Sequence, residues 1–302
     1  MSVVIDRMSP VTDIDPQATM WAHQVEEYVV SYLNQRQLPA NLVNAVQYSF
    51  LAPGKRLRPI LVLQACHAVG GQFESGMVSA AAIEMVHCFS MIHDDLPAMD
   101  DDDLRRGRPT LHRHTNEAMA ILAGDVLMGM AFEMVSKRVK PLALAARIIR
   151  ELSTATNDMI AGQVYDTLPD FASDLDGLTK LKTIHVNKTA ALLRASVRMG
   201  GLCGEASEDE LKCLTGYGEA IGLMYQVVDD LLDVTASEKQ MGKATHKDAG
   251  QGKLTYPGLM GIASSRQQVI TLQTMAHRAL ADLGKPAQRL KNLCDYMAVR
   301  TQ

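Results

Sequence analysis

Apolar residues recur at helical spacing along most of the chain, and the breaks between them predict a succession of helices. The first runs from Trp21 to Gln37, where Leu38-Pro39 stops it, and a second covers Ala40 to Leu51. Pro53-Gly54 then breaks the chain ahead of an apolar helix from Ile60 to Val69. The run from Met77 to Ile92, MVSAAAIEMVHCFSMI, is apolar on nearly every face, with Glu84 and His87 the exceptions. A helix of that kind belongs at the centre of its fold. After Pro109-Thr110 comes AMAILAGDVLMGMAFEMV, and helices continue from Leu142 to Ile160, closed by Gly162-Gln163-Val164-Tyr165-Asp166. Leu178 to Met199 reads as one helix whose apolar face is interrupted at Lys188-Thr189. Another runs through YGEAIGLMYQVVDDLLD from Tyr217, and amphipathic helix resumes at about Ala263. Between these last two, MGKATHKDAGQGKLTYPG carries Lys243, Lys247 and Lys253 and reads as a mobile basic flap. With no repeat and no alternation long enough for a strand, the expectation is an all-α helical bundle around a nearly all-apolar central helix, one domain over residues 17–302 behind a flexible segment 1–16.

Composition narrows the class. At 302 residues with 47% hydrophobic and 21% charged positions the chain is globular, and its 18 methionines read as core filling. A net charge of −4 argues against nucleic acid or an anionic membrane as partner, so any basic cluster serves a local anion. Cys66, Cys88, Cys203, Cys213 and Cys294 form no CxxC pair and sit among apolar neighbours, which fits reduced thiols in the cytoplasm. Asp6, Arg7, Asp13 and Asp15 interrupt the start of the chain, so it lacks the apolar core of a signal peptide. No segment has the roughly 18 uninterrupted apolar residues of a membrane span.

The chemistry is concentrated in HDDLPAMDDDDLRRGR. Asp94, Asp95, Asp100, Asp101, Asp102 and Asp103 fall within ten positions and lead directly into Arg105 and Arg106. Carboxylates so close repel one another unless a multivalent cation neutralises them, and hard oxygen donors suit Mg²⁺. Guanidinium forks beside them suit phosphate oxygens. The arrangement recurs 135 residues on, where Asp229, Asp230 and Asp233 share adjoining parts of one helical face with Gln226. Both clusters sit near helix C-termini, where the macrodipole disfavours negative charge. That placement makes little sense for stability and good sense for cation binding. Lys55, Arg56 and Arg58 follow the Pro53-Gly54 turn, and His87 shares the Asp94 stripe of its helix about 10 Å below it. No EF-hand spacing and no Ser-His-Asp or Cys-His arrangement is present.

These residues resemble a known family. HDDLPAMDDDDLRRGRPT is similar to the first aspartate-rich motif of trans-prenyltransferases, QVVDDLLD to the second, and GKRLRP to their isopentenyl diphosphate loop. KTAALLRA, GQVYD and GKLTYPGL resemble further landmarks, in order, from about residue 45 to residue 262; bacterial farnesyl diphosphate synthases are the nearest match. KTA stands for the commoner KTG, and AGQ for GGQ. The resemblance implies an all-α prenyl-synthase fold with a central active-site cavity, a homodimer and three Mg²⁺ ions. It implies that Asp94 and Asp100 ligate metal with Asp95 in support, and that Asp229 does so from the other side with Asp230 and Asp233 near it. Arg105, Lys188, Thr189, Gln226 and Lys243 would hold an allylic diphosphate. Lys55, Arg58, His87 and Arg106 would hold isopentenyl diphosphate, with Lys253 a further substrate-binding lysine. An aromatic at Phe89 is associated with a closed pocket floor and a C15 farnesyl product, while small Ser90 leaves room for C20; a C10 or C20 synthase is the alternative. A terpene cyclase, which needs no second basic site, and a regulatory subunit are further rivals.

Overall fold

The computed structural model describes residues 16–239 and 254–300. Lys243, Lys247 and Lys253, and the segment before Pro16, lie outside the described residues, and with them most of the expected flap and flexible start. Helix α1 (Pro16–Asn34) is followed by α2 (Ala40–Phe50), α3 (Leu57–Ala68) and α4 (Phe73–Asp94). A hairpin of two-residue strands, β1 (Leu104–Arg105) and β2 (Arg108–Pro109), leads to a single turn α5 (Leu111–His114), then α6 (Glu117–Arg138) and α7 (Leu142–Thr167). Next come α8 (Gly177–His185), a π-helical turn (Val186–Ala190), α9 (Ala191–Cys203) and the long α10 (Glu208–Lys239). The last helices are α11 (Tyr256–Met260), α12 (Ile262–Ala279) and α13 (Gln288–Val299). The fold is all-α, as the periodicity indicates.

Helix α4 is the axis of the bundle. It packs on α3, α6 and α9, and Ser79 to Val86 are all buried. Ala80, Ala81 and Ala82 let neighbouring backbones approach, and the apolar surface removed from water on several sides is the main force holding α4 in place. By length and composition α4 and α6 would each cross a membrane, yet 61% and 44% of those windows are buried inside the fold. They are core helices here. All five cysteines are free, and Cys66, Cys203 and Cys294 are buried.

Two elements differ from the sequence expectation for one reason. Gly162 does not end α7, which continues to Thr167. A Cβ on Gly162 would lie 2.1 Å from the Lys188 backbone nitrogen, so the residue is a point of close approach. On the opposite side, a Cβ on Gly222 of α10 would lie 2.4 Å from the Ala190 side chain. The segment expected as one helix from Leu178 to Met199 is gripped between these glycines, and there it widens into the π-helical turn. The hairpin is too short to show alternation. It turns through Arg106 (φ 53°) and Gly107 (φ 74°), the paired left-handed residues of a two-residue hairpin loop.

Candidate active site

Asp94 is the last residue of α4, and the loop beyond it curls back over the helix end. The Asp100 amide donates to the Asp94 carbonyl at 2.9 Å, and the Asp101 amide to that of Leu96 at 3.1 Å with Asp101 left-handed. Asp100 thus returns beside Asp94, which is why five intervening residues serve where adjacent ones would not. Burial pushes the Asp94 carboxyl up to about 6; Lys188 and Arg105 oppose the shift, while Asp100 and Asp95 add to it. Asp95 has a different surrounding. It is 4% exposed and accepts from Arg105 Nε at 2.5 Å, and burial outweighs that partner to raise its pKa.

The hairpin separates the adjacent arginines. Arg105 on β1 reaches back to Asp95, and Arg106 in the turn donates to the Pro53 carbonyl at 2.8 Å. Gly54 makes room for it, since a Cβ there would meet the Arg106 guanidinium at 2.1 Å. Asp101, Asp102 and Asp103, unexplained by any metal reading, are the frame of this hairpin. Arg113 pairs with Asp103 at 2.5 Å and Asp101 at 3.6 Å, Arg105 reaches Asp102 at 3.5 Å, and Thr110 donates to the Asp102 carbonyl at 2.7 Å.

The three cations of GKRLRP also divide. Arg56 is left-handed (φ 46°) and turns inward, pairing with Glu26 at 2.7 Å and Glu84 at 3.0 Å and donating to the carbonyls of Phe50 and Ala52. Its donors are committed to protein, which holds the loop while Lys55 and Arg58 stay with the site. Arg58 has its Nε buried with no hydrogen-bond partner, and burial lowers its pKa, with Glu84 and Tyr225 opposing. His87 is driven well below its ordinary value by burial and by Arg58, Arg106, Arg56 and Arg105 around it. It is therefore a neutral imidazole among guanidiniums. Replacing Arg56 by methionine leaves the buried Glu84 without its cation and is expected to destabilise the fold by about 3–5 kcal/mol. Arg58→Met is expected to cost far less; urea unfolding of the two variants measures the difference, and equal losses would refute the division of roles.

On the facing side, Asp229 of α10 accepts from Arg300 Nη2 at 2.6 Å. Burial raises its pKa against the pull of Arg300 and Lys55. Asp230 turns into the bundle, accepts from the Tyr256 amide at 2.9 Å, and is pushed up to about 7 by burial. It ties α11 to α10 and is less available to a metal than its neighbours; Asp233 is exposed. Gln226 accepts from Thr189 Oγ1 at 2.8 Å, and Lys188 Nζ lies 2.5 Å from Asp166 Oδ2. The π-helical turn thereby delivers Lys188 and Thr189 between the two aspartate walls. Lys243 and Lys253 cannot be placed, lying outside the described residues. Sequence reasoning missed the inward turn of Arg56 onto Glu26 and Glu84, and Arg300 altogether. The one signal for the first was Glu84 as the lone acid in an apolar run; for Arg300 there was none.

Among the described residues no three His, Cys, Asp or Glu side chains converge closely enough to hold a metal ion. The donor set still fits Mg²⁺, because that ion takes one or two carboxylates and completes its shell with water and phosphate oxygens. Asp94 and Asp100 on one wall and Asp229 on the other are hard-oxygen donors of that kind. The cations around them lie in two neighbourhoods that Arg105 joins: Lys188 with Arg105 near Asp94, and Arg58 and Arg106 near His87, which also feels Arg105, while Lys55 stands by Arg106 and Asp229. Two anionic groups and a divalent ion can be held at once.

Comparison with known proteins identifies the family. A family model for polyprenyl synthetase matches residues 39–293. The chain is 45% identical over 271 residues to geranylgeranyl pyrophosphate synthase 11, chloroplastic, of Arabidopsis thaliana, which covers 87% of this chain and 76% of that one. It is equally identical to the heterodimeric geranylgeranyl pyrophosphate synthase large subunit 1, chloroplastic, of the same plant, over 87% of this chain and 73% of the other. Among solved structures, geranylgeranyl pyrophosphate synthetase from Pyrococcus horikoshii superposes with a TM-score of 0.87 at 29% identity, over 97% of this chain and 100% of that one. An FPP/GFPP synthase from Zymomonas mobilis superposes with a TM-score of 0.84 at 29% identity, over 95% and 99%. The walls of aspartate and the divided cations thus stand on an isoprenoid synthase fold, and the chain belongs to the polyprenyl synthetase family of prenyltransferases.

Proposed function

We propose that the protein is a short-chain trans-prenyl diphosphate synthase that condenses isopentenyl diphosphate with allylic diphosphates up to geranylgeranyl diphosphate, C20. The observation that carries the reading is the presence of two cation groups beside two carboxylate walls, since a terpene cyclase needs only one. Arg105, Lys188, Thr189 and Gln226, with Lys243, hold the allylic diphosphate. Lys55, Arg58, Arg106 and neutral His87 hold isopentenyl diphosphate, with Lys253 as a further contact. Asp94, Asp100 and Asp229 would hold Mg²⁺, three ions on the family pattern, with Asp95, Asp230 and Asp233 in support. Bound Mg²⁺ supplies electrostatic stabilisation of the departing diphosphate as the allylic C–O bond breaks.

Residue roles follow from that chemistry. Lys188 and Arg105 add positive charge where the leaving group gains negative charge. The isopentenyl double bond attacks that cation, and the proton is lost to the released diphosphate, so no protein nucleophile is required.

The C20 product rests on the relatives named geranylgeranyl pyrophosphate synthases and on Phe89. At 100° per residue Phe89 lies about 140° from Asp94 around α4. Its ring packs edge-on to His93 with centroids 5.1 Å apart, and the His93 ring meets the Ile121 carbonyl of α6. Ser90, on the Asp94 stripe, is a small side chain that donates to the His87 carbonyl. A C15 product is the second reading, favoured by the aromatic at position 89 and by the FPP/GFPP synthase among the structural neighbours.

The deciding assay incubates purified protein with Mg²⁺, isopentenyl diphosphate and dimethylallyl diphosphate and measures product chain length. C20 is expected; absence of any product sinks the reading, and with it the alternative of a regulatory subunit is taken up. The functional unit is a homodimer, for which Ile121 and Leu122 on α6 and Ile160 and Val164 on α7 offer exposed apolar surface. Its five free thiols fit a cytoplasmic enzyme.

A further inference from the structure

Arg300 has no part in the roles above, yet it is among the most committed side chains near the site. Just past α13, its side chain is 3% exposed. Its Nη2 donates to Asp229 Oδ1 at 2.6 Å and to the Tyr225 carbonyl at 2.9 Å, and its guanidinium lies over the Tyr225 ring, 3.8 Å from the centroid. Its Nε is buried with no hydrogen-bond partner. An arginine desolvated this far is expensive unless its charge is used, and the carboxylate it faces belongs to the second aspartate wall.

We propose that Arg300 is a positioning residue for that wall: the resident counter-cation of Asp229, which orients the carboxylate and opposes the entry of a divalent ion until an anionic diphosphate arrives. The proposal rests on the reading of Asp229 as a metal ligand given above. A fixed positive charge one side chain from a divalent cation repels it, and Lys55 on the same carboxylate adds to the repulsion. A bound diphosphate reverses the balance by supplying negative charge on the other side of the ion. Metal loading is thereby made conditional on substrate, which keeps the acidic mouth from filling with free cations. The selectivity comes from α10 and the chain after α13, not from the first aspartate motif.

The test is titration calorimetry of MgCl₂ into the protein, with and without inorganic pyrophosphate. Without pyrophosphate, Arg300→Gln is expected to bind Mg²⁺ about tenfold more tightly than the wild type, the effect of one unit charge at a water-like dielectric. Arg300→Lys keeps the charge and is expected to stay near the wild-type value. With pyrophosphate present, the gap between wild type and Arg300→Gln is expected to close. Arg300→Met, which retains an apolar stem over Tyr225, replaces the glutamine variant if circular dichroism shows that the latter does not fold. A loss of packing alone would weaken metal binding, so tightening is the distinguishing sign. If Asp229→Asn weakens Mg²⁺ binding while Arg300→Gln leaves it unchanged or weaker, the counter-cation role is overturned. If Asp229→Asn has no effect on Mg²⁺, the metal-ligand reading of Asp229 fails and the proposal falls with it.

Discussion

Asp94→Asn is expected to lower kcat/KM for the allylic substrate by about a thousandfold, in the range found when a group aimed at developing charge is removed. The substitution keeps the size of the side chain and the helix end, and it removes the negative charge that Mg²⁺ requires. Because Asp100 folds back onto Asp94 through backbone bonds, the loop should survive the change. The loss therefore belongs to chemistry and not to folding, and an unchanged melting temperature would mark it so. The pH profile gives a second readout. Burial raises Asp94 to about 6, so the free enzyme's carboxylate takes up a proton as pH falls through that value. The wild-type kcat/KM, which reports groups in the free enzyme, should fall about tenfold per pH unit below about 6. In Asp94→Asn the limb should become less steep, with Asp230, pushed up to about 7, left to shape it. A loss smaller than tenfold would remove Asp94 from the metal site.

What the sequence could convey follows the range of its interactions. Local signals carried far. The all-round apolar run of α4, the breaks at Pro39 and Pro53-Gly54, and the paired aspartate spacings all express contacts within a few residues, and each found its element. The π-helical turn was hidden because its cause lies in two other helices, Gly162 on α7 and Gly222 on α10, whose approach no window of residues 178–199 contains. The cations of GKRLRP were alike as letters. They were told apart only by Glu84 and Glu26, which come from α4 and α1 and draw Arg56 inward. Asp101 to Asp103 had no assigned role in the sequence, and Arg113, which pairs with Asp101 and Asp103, lies ten residues beyond Asp103, past a hairpin too short for periodicity to reveal. Arg300 reaches Asp229 across 71 positions with no motif at its end. Charge clusters thus announce a site, while the division of labour inside them is written in tertiary contacts.

Ser90→Phe is expected to change the product from C20 to C15 or shorter, with turnover of the shorter allylic substrates retained. On the proposed function the growing chain would descend from a diphosphate held near Asp94, and Ser90 is one helical turn below on the same stripe, about 6 Å away. One isoprene unit extends a chain by about the rise of one such turn. A phenyl ring at position 90 would enter that path a turn below Asp94, where the serine hydroxyl donates to the His87 carbonyl. Phe89 sits differently. It is 6% exposed, pinned against His93 on the side of α4 that faces α6, so Phe89→Ala should leave the product at C20 and weaken packing by about 3–5 kcal/mol. The two substitutions separate the readings because they predict opposite outcomes from neighbouring residues. Chromatography of dephosphorylated products measures both. If the wild type yields C15 and Phe89→Ala lengthens it while Ser90→Phe has no effect, the floor is Phe89 and the protein is a farnesyl diphosphate synthase.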